Sequence, residues 1–185
     1  NPGGGKVSLG HDHGAMSDSE PQAMEADRQN VEANASFKKQ LQAVYDSYIL
    51  MTGSFVDSDA KEVGKAAADV KSKLQEVDMT LLEGEAHMLW MKHLKTLESE
   101  IEDISSEEDI SSQRIAFATF NETFYASLKA FGLEQGTVYY QYCPMANGDQ
   151  GAYWFSDIEE IENPYFGDEM LKCGETRETL EFSKK

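Results

Sequence analysis

Hydrophobic residues recur at helical spacing through the middle of the chain and predict four amphipathic helices. The four stripes cover residues 37–55, 63–77, 90–104 and 117–131. Short connections are indicated by capping signals, such as Asp59 three residues before Glu62 and Gly132 after the last stripe. Helices of this length joined by short turns pack most simply as an antiparallel bundle. We therefore expect a mainly α fold built on an antiparallel four-helix bundle.

A different pattern begins after Gly136, where short segments rich in aromatic and β-branched residues alternate with glycine, asparagine and proline. This pattern is typical of short strands separated by turns. It predicts a small C-terminal strand-and-loop cap over about residues 137–183, with strands at 137–143, 152–155 and 179–182. Residues 1–33 have almost no periodic apolar positions and predict a flexible tail, which leaves residues 34–185 as a single domain.

The charge of the chain excludes several classes of partner. Its 16 basic and 34 acidic residues give a formal net charge of −18 at pH 7. A protein of this charge repels nucleic-acid phosphates and anionic lipid surfaces, whereas metal cations and basic proteins remain compatible partners. No apolar run is long enough to predict a transmembrane segment.

The opening sequence NPGGGK begins with Asn1 and is small, polar and rich in glycine. Such an opening is typical of an exported protein after its leader has been cleaved, and it also suits the tether behind a lipid-anchored cysteine. A cloning choice explains it almost equally well. Further along the tail, His11, His13 and Met16 lie close together and indicate either a loose copper-binding segment or an ordinary polar linker.

Sulfur-bearing residues form the strongest chemical pattern, because Cys143 and Met145 flank a proline and Met170 precedes Cys173 by three positions. Thiolates and thioethers are soft ligands that suit Cu(I) or Ag(I). Two cysteines in an oxidising compartment also suit a structural disulfide, and they can equally be unrelated free thiols. The spacing alone leaves all three interpretations open.

His87 is a further candidate ligand, because Met91 lies one helical turn away on the same predicted face. A histidine on an apolar helical face is more often hydrogen-bonded within the core than bound to a metal. The sequence contains none of the G-x-S-x-G, G-x-x-x-x-G-K, G-x-G-x-x-G or H-E-x-x-H motifs. We therefore predict a protein without enzymatic activity.

The C-terminal third, with the segments YYQYCPMANGDQGAYWFSD and NPYFGDEMLKCGE, resembles a helical family called domain of unknown function 3347. The similarity extends more loosely through WMKHL and QRIAF back to about Phe37. This resemblance implies export to the periplasm or cell envelope and a link with copper or silver handling. The family also occurs as an appendage of CusB-like adaptor subunits of heavy-metal efflux systems, which implies such a component as a partner.

Together these observations lead to one main hypothesis and one alternative. The main hypothesis is a periplasmic or envelope-anchored protein that sequesters or transfers Cu(I), with Cys143, Met145, Met170, Cys173 and His87 as ligands. The alternative is a structural or interaction module in which Cys143 and Cys173 form a disulfide and no metal binds. A redox-gated site would combine the two, because only the reduced pair can bind an ion.

Overall fold

The computed structural model describes residues 33–183, and this part of the chain is mainly helical with a small antiparallel sheet at its C-terminal end. The long helices are α1 (Ala35–Val56), α2 (Ala60–Glu76), α3 (Gly84–Ser106) and α4 (Ile110–Phe131). The strands are β1 (Gly136–Cys143), β2 (Ala152–Ser156) and β3 (Glu175–Phe182). The connections contain short 3-10 helices at Met79–Leu81 and Gly167–Glu169 and a turn at Ala146–Asp149, in which Asn147 and Gly148 have positive φ. The predicted N-terminal tail lies outside the described residues, except for Ala33.

The helix ends follow the capping signals in the sequence. Asp59 caps α2 by accepting a hydrogen bond from the backbone N–H of Glu62, and Asp109 caps α4 in the same way through Ser111 and Ser112. Gly132 ends α4 with a positive φ of 72°, a conformation that glycine adopts without a steric penalty. These caps satisfy backbone groups that the helices cannot pair themselves. The predicted helix boundaries are confirmed at these points.

The hydrophobic core lies between the helices, and aromatic rings dominate it. All members of the first predicted stripe are buried: Phe37, Leu41, Val44, Tyr48, Met51 and Phe55. Ring contacts join the start of α1 to the end of α4 through Phe37 and Phe131, and the end of α1 to the start of α4 through Phe55 and Phe117. The two helices therefore run in opposite directions.

The sheet has β1 in the centre, with β2 and β3 as antiparallel neighbours on either side. In the register, Cys143 is opposite Ala152 in β2, and Tyr142 is opposite Glu175 in β3. One face of β2 packs on the helices, because the buried ring of Phe155 contacts Tyr48 of α1 and Phe124 of α4. Trp154 lies on the opposite face of the strand, where it is also fully buried and its ring contacts Tyr165. The three strands agree with the short segments predicted from the sequence.

A chain of buried hydrogen bonds ties the sheet to the helices. The hydroxyl of Tyr48 in α1 donates to the Asn121 side chain in α4 and accepts a 2.9 Å bond from the backbone N–H of Phe155 in β2. The Asn121 amide donates over 3.1 Å to the hydroxyl of Tyr165, which in turn donates to the backbone carbonyl of Tyr153. Because the side chains of Tyr48, Asn121 and Tyr165 are buried, this network fixes the sheet in one position on the helices.

None of the described helices combines the length and the apolar character that a membrane span requires.

Candidate metal centre

The two cysteines lie side by side at one end of the sheet, where β1 ends and β3 begins. Cys143 is the last residue of β1, and Cys173 lies two positions before β3. Their Sγ atoms are 3.4 Å apart, and both side chains are free thiols. Cys143 is fully buried, whereas Cys173 is half-buried. The pairing of β3 with β1 brings the two thiols together across 30 positions of sequence.

The loop before β3 holds Cys173 in position through Asn163, a buried residue. The Asn163 side-chain amide donates over 2.8 Å to the carbonyl of Cys173, and its oxygen accepts a 2.8 Å bond from the N–H of Tyr165. Gly174 follows with a φ of +137°, and a Cβ atom there would lie only 2.8 Å from the Tyr142 carbonyl. The chain can approach β1 this closely only because residue 174 is glycine.

The electrostatic surroundings keep the half-buried thiol protonated. The pKa of Cys173 is raised above its ordinary value, first by its hydrogen bond with Cys143, then by burial and by the charge of that neighbour. The thiolate is the form that attacks disulfides and binds metals. A ligand for this pair must therefore displace a proton from Cys173, and its affinity depends on pH.

The distance between the two sulfur atoms lies between the value for a disulfide and the value for two thiolates bound to one metal ion. A disulfide needs the sulfurs about 2.05 Å apart. Two thiolates bound to one ion, with bonds of about 2.3 Å, are roughly 3.8 Å apart in a tetrahedral site and roughly 4.0 Å apart in a trigonal one. From 3.4 Å, either metal geometry requires a smaller change in the sulfur–sulfur distance than a disulfide does.

Met145 and Met170, the two methionines that the sequence analysis proposes as ligands beside the cysteines, lie in different surroundings. Met170 shares a turn with Cys173, because its carbonyl accepts a 3.1 Å hydrogen bond from the Cys173 N–H, and its side chain is half-buried. Met145 is 47% exposed and lines a surface cavity together with Arg114 and Tyr165. Met170 is therefore the thioether whose backbone position ties it to the cysteine pair.

The two histidines that the structure describes, His87 and His93, are both in α3 and away from the thiols. His87 is in the first turns of α3, where its Nδ1 atom lies 3.0 Å from the Met79 carbonyl, and this end of α3 packs beside the end of α4. Cys143 is the last residue of β1, whose first residue follows closely after the end of α4, so the length of the strand separates the thiols from His87. The buried histidine of α3 is His93, whose ring lies 2.9 Å from the Ser127 hydroxyl. His11, His13 and Met16 lie outside the described residues.

Within residues 33–183, no group of three or more histidine, cysteine, aspartate or glutamate side chains is arranged to hold a metal ion. The cysteine pair would therefore need a low coordination number or a third ligand of another type. Monovalent copper and silver accept thioether sulfur as well as thiolate. The donor set fits a soft monovalent ion better than zinc, whose sites commonly gather four cysteine or histidine ligands.

Two buried polar side chains beside the thiols were not singled out from the sequence. Trp154 and Gln141 are opposite each other in β2 and β1, and both are fully buried. The indole Nε1 and the Gln141 Oε1 have no hydrogen-bond partner among the described residues. A Cβ atom on Gly174 would lie 2.9 Å from the indole ring, so Trp154 is next to the backbone that carries Cys173. Its fluorescence can therefore report on the thiol pair.

Comparison with known proteins gives one match. A search of curated proteins finds no match, and a search of solved structures finds none either. A family model described as "Protein of unknown function (DUF3347)" matches residues 44–136, just over half of the chain. The matched region runs from α1 to the first residue of β1, so both cysteines lie outside it. The chain belongs to this family of proteins of unknown function.

Proposed function

We propose that the protein binds Cu(I) or Ag(I) through Cys143 and Cys173, and that it sequesters or transfers the ion in the periplasm or cell envelope. The observation that carries this proposal is the 3.4 Å contact between two free thiols that belong to distant segments. The role is binding rather than catalysis. A component of a heavy-metal efflux system is the proposed recipient of the ion.

The different burial of the two thiols supports a role in transfer. Cys143 is fully buried at the end of β1 and provides a fixed anchor, whereas Cys173 is half-buried and reachable from solvent. An ion can therefore arrive at Cys173 and be handed to a partner thiolate by the same route. Met170 is the proposed third ligand, because its backbone is hydrogen-bonded to that of Cys173.

A second candidate function rests on the burial of Cys143. Fully buried cysteines are usually inert, and a disulfide with Cys173 would tie β1 to the loop before β3. In this alternative the protein is a structural or interaction module and binds no metal. The two states exclude each other on one molecule, so the oxidation state of the compartment selects between them.

The test is a competition titration of fully reduced protein with Cu(I) in the presence of a chromophoric chelator. The variants are the double substitution Cys143→Ser with Cys173→Ser, the single substitution Met170→Leu, and the control Met88→Leu. Met88 is 70% exposed on α3, so its replacement removes a thioether from the far end of the molecule. Trp154 fluorescence provides a second readout of binding beside the thiols.

The proposal predicts one tightly bound ion per chain in the wild type and in Met88→Leu, and none in the double variant. Met170→Leu should retain stoichiometric binding with lower affinity, since it removes one ligand of three. Equal weak uptake by the wild type and the double variant would remove the metal-binding proposal. If the purified protein carries no metal and its mass is two hydrogens below that of the reduced chain, the disulfide alternative is favoured.

The same proposal includes the finer arrangement of the helices, which we infer to be an antiparallel four-helix bundle. Support comes from contacts that join the start of one helix to the end of its neighbour: Trp90 of α3 contacts Phe131 of α4, and Gly64 of α2 lies beside the Ser105 carbonyl of α3. In such a bundle the sheet packs along α1 and α4, as the contacts of Phe155 with Tyr48 and Phe124 indicate, and this gives the thiol pair a rigid support.

A further inference from the structure

A second candidate site lies in a cavity of about 470 Å³ between the start of α4, the turn Ala146–Asp149 and the segment around Tyr165. This volume lies within the range of small-molecule sites, about 300 to 1000 Å³. The cavity walls include the side chains of Ile115, Met145 and Phe166. Ile115 and Met145 are among the large hydrophobic side chains that the fold leaves exposed, at 60% and 47%.

Arg114 is the basic residue in the cavity lining. Its hydrogen bonds go to uncharged groups, so its positive charge is not balanced by a bound carboxylate. Its Nε atom donates to the Pro164 carbonyl, and its Nη2 atom donates to the Phe55 carbonyl and the Ser58 hydroxyl. The Nη1 atom has no hydrogen-bond partner among the described residues, and no carboxylate there forms an ion pair with this arginine. Two N–H donors of a fixed guanidinium therefore remain available.

An unpaired, half-buried arginine is unusual in a chain with 34 acidic residues. Burial lowers the pKa of its guanidinium, which reflects the cost of removing the charge from water, and Glu169 opposes this effect from a distance. Both Asp149 and Glu169 line the cavity but are exposed to solvent. The Arg114 guanidinium therefore lies beside apolar cavity walls and forms no ion pair with Asp149 or Glu169.

We propose that this cavity binds a small organic carboxylate, with the carboxylate on Nη1 of Arg114 and an apolar body against Ile115, Met145 and Phe166. A guanidinium recognises carboxylates through directed, charge-assisted hydrogen bonds. The apolar walls favour a ligand with a hydrocarbon or aromatic body over a bare inorganic anion. This site is separate from the cysteine pair and does not depend on metal binding.

The test uses three probes of nearly identical shape: 4-phenylbutanoate, 4-phenylbutanamide and 4-phenylbutylamine, which carry a negative, a neutral and a positive head group. Binding is measured by calorimetry and by chemical shifts of the full chain. The carboxylate should bind at least about tenfold more tightly than the amide, the difference expected for hydrogen bonds to a charged group. The amine should bind most weakly. Equal binding of acid and amide, or tightest binding of the amine, would overturn the proposal.

Variants at the rim test the site without removing the hydrogen bonds that Arg114 makes to the fold. Ile115→Glu places a negative charge beside the guanidinium and should weaken 4-phenylbutanoate binding about tenfold or more. Glu169→Gln removes a competing carboxylate and should strengthen binding a few-fold. Leu50→Glu adds the same charge at a 73% exposed position of α1 outside the lining and should leave the affinity unchanged. An unchanged affinity in Ile115→Glu, or a loss in Glu169→Gln, would place the anion elsewhere and refute the assignment.

Discussion

Replacement of Tyr48 by phenylalanine tests whether the buried polar network fixes the sheet on the helices. The substitution keeps the ring, which contacts Phe117, Phe120 and Phe124, and removes only the hydroxyl. Two buried groups then lose their partner: the side-chain oxygen of Asn121 and the backbone N–H of Phe155. A stranded buried polar group costs about 1 to 3 kcal/mol. For two such groups we therefore expect the free energy of unfolding to fall by about 2 to 6 kcal/mol.

The assay is urea unfolding followed by circular dichroism, in which this loss lowers the midpoint by about 1 to 3 M. Tyr153→Phe is the matched control, because its hydroxyl makes no hydrogen bond within residues 33–183. The control should stay within about 0.5 kcal/mol of the wild type. Because Phe155 belongs to the strand beside Cys143, Tyr48→Phe should also raise the rate of Cys143 alkylation. Equal stability of the two variants would refute the role assigned to the network.

Three further predictions concern the thiol pair. Oxidation of Cys143 and Cys173 should stabilise the fold by about 3 to 4 kcal/mol, as expected for a link across 30 positions, and calorimetry without reductant should give a Tm about 7 to 15 °C higher. Since the pKa of Cys173 is raised, Cu(I) must displace its proton, so the affinity measured by competition should increase between about pH 6 and pH 8. Gly174→Ala should cost at least about 2 kcal/mol in urea unfolding, because its Cβ would lie 2.8 Å from Tyr142 O and 2.9 Å from the Trp154 ring.

Sequence patterns predicted most of the helical part, because helical periodicity and capping are local properties. The stripe from Phe37 to Phe55 is buried throughout, and Asp59 caps α2 as expected. The strands were also predicted from local composition. Their order was not, since the position of β3 on the far side of β1 depends on long-range pairing between Val138 and Leu180.

The candidate sites were less accessible to sequence reasoning. The cysteines could be singled out by their chemistry, but their 3.4 Å separation follows from strand register and from the Asn163 turn. The sequence shows Asn121 only as part of an N-x-T triplet, whereas its buried amide joins α4 to Tyr48, 73 positions away, and to Tyr165. Hydrogen-bond partners so far apart in sequence depend on how each helix is rotated about its axis and on where the sheet packs. Neighbouring residues in the sequence carry no information about either property.

The position of β3 after Cys173 has a consequence for the order of events in folding. Cys143 leaves the ribosome 30 residues before its partner, and the strand that aligns the two sulfurs is made later still, ending at Phe182. Until that last strand docks, each sulfur is open to foreign thiols and stray ions. Closing of the pair thus has to wait until β3 has been synthesised and has paired with β1.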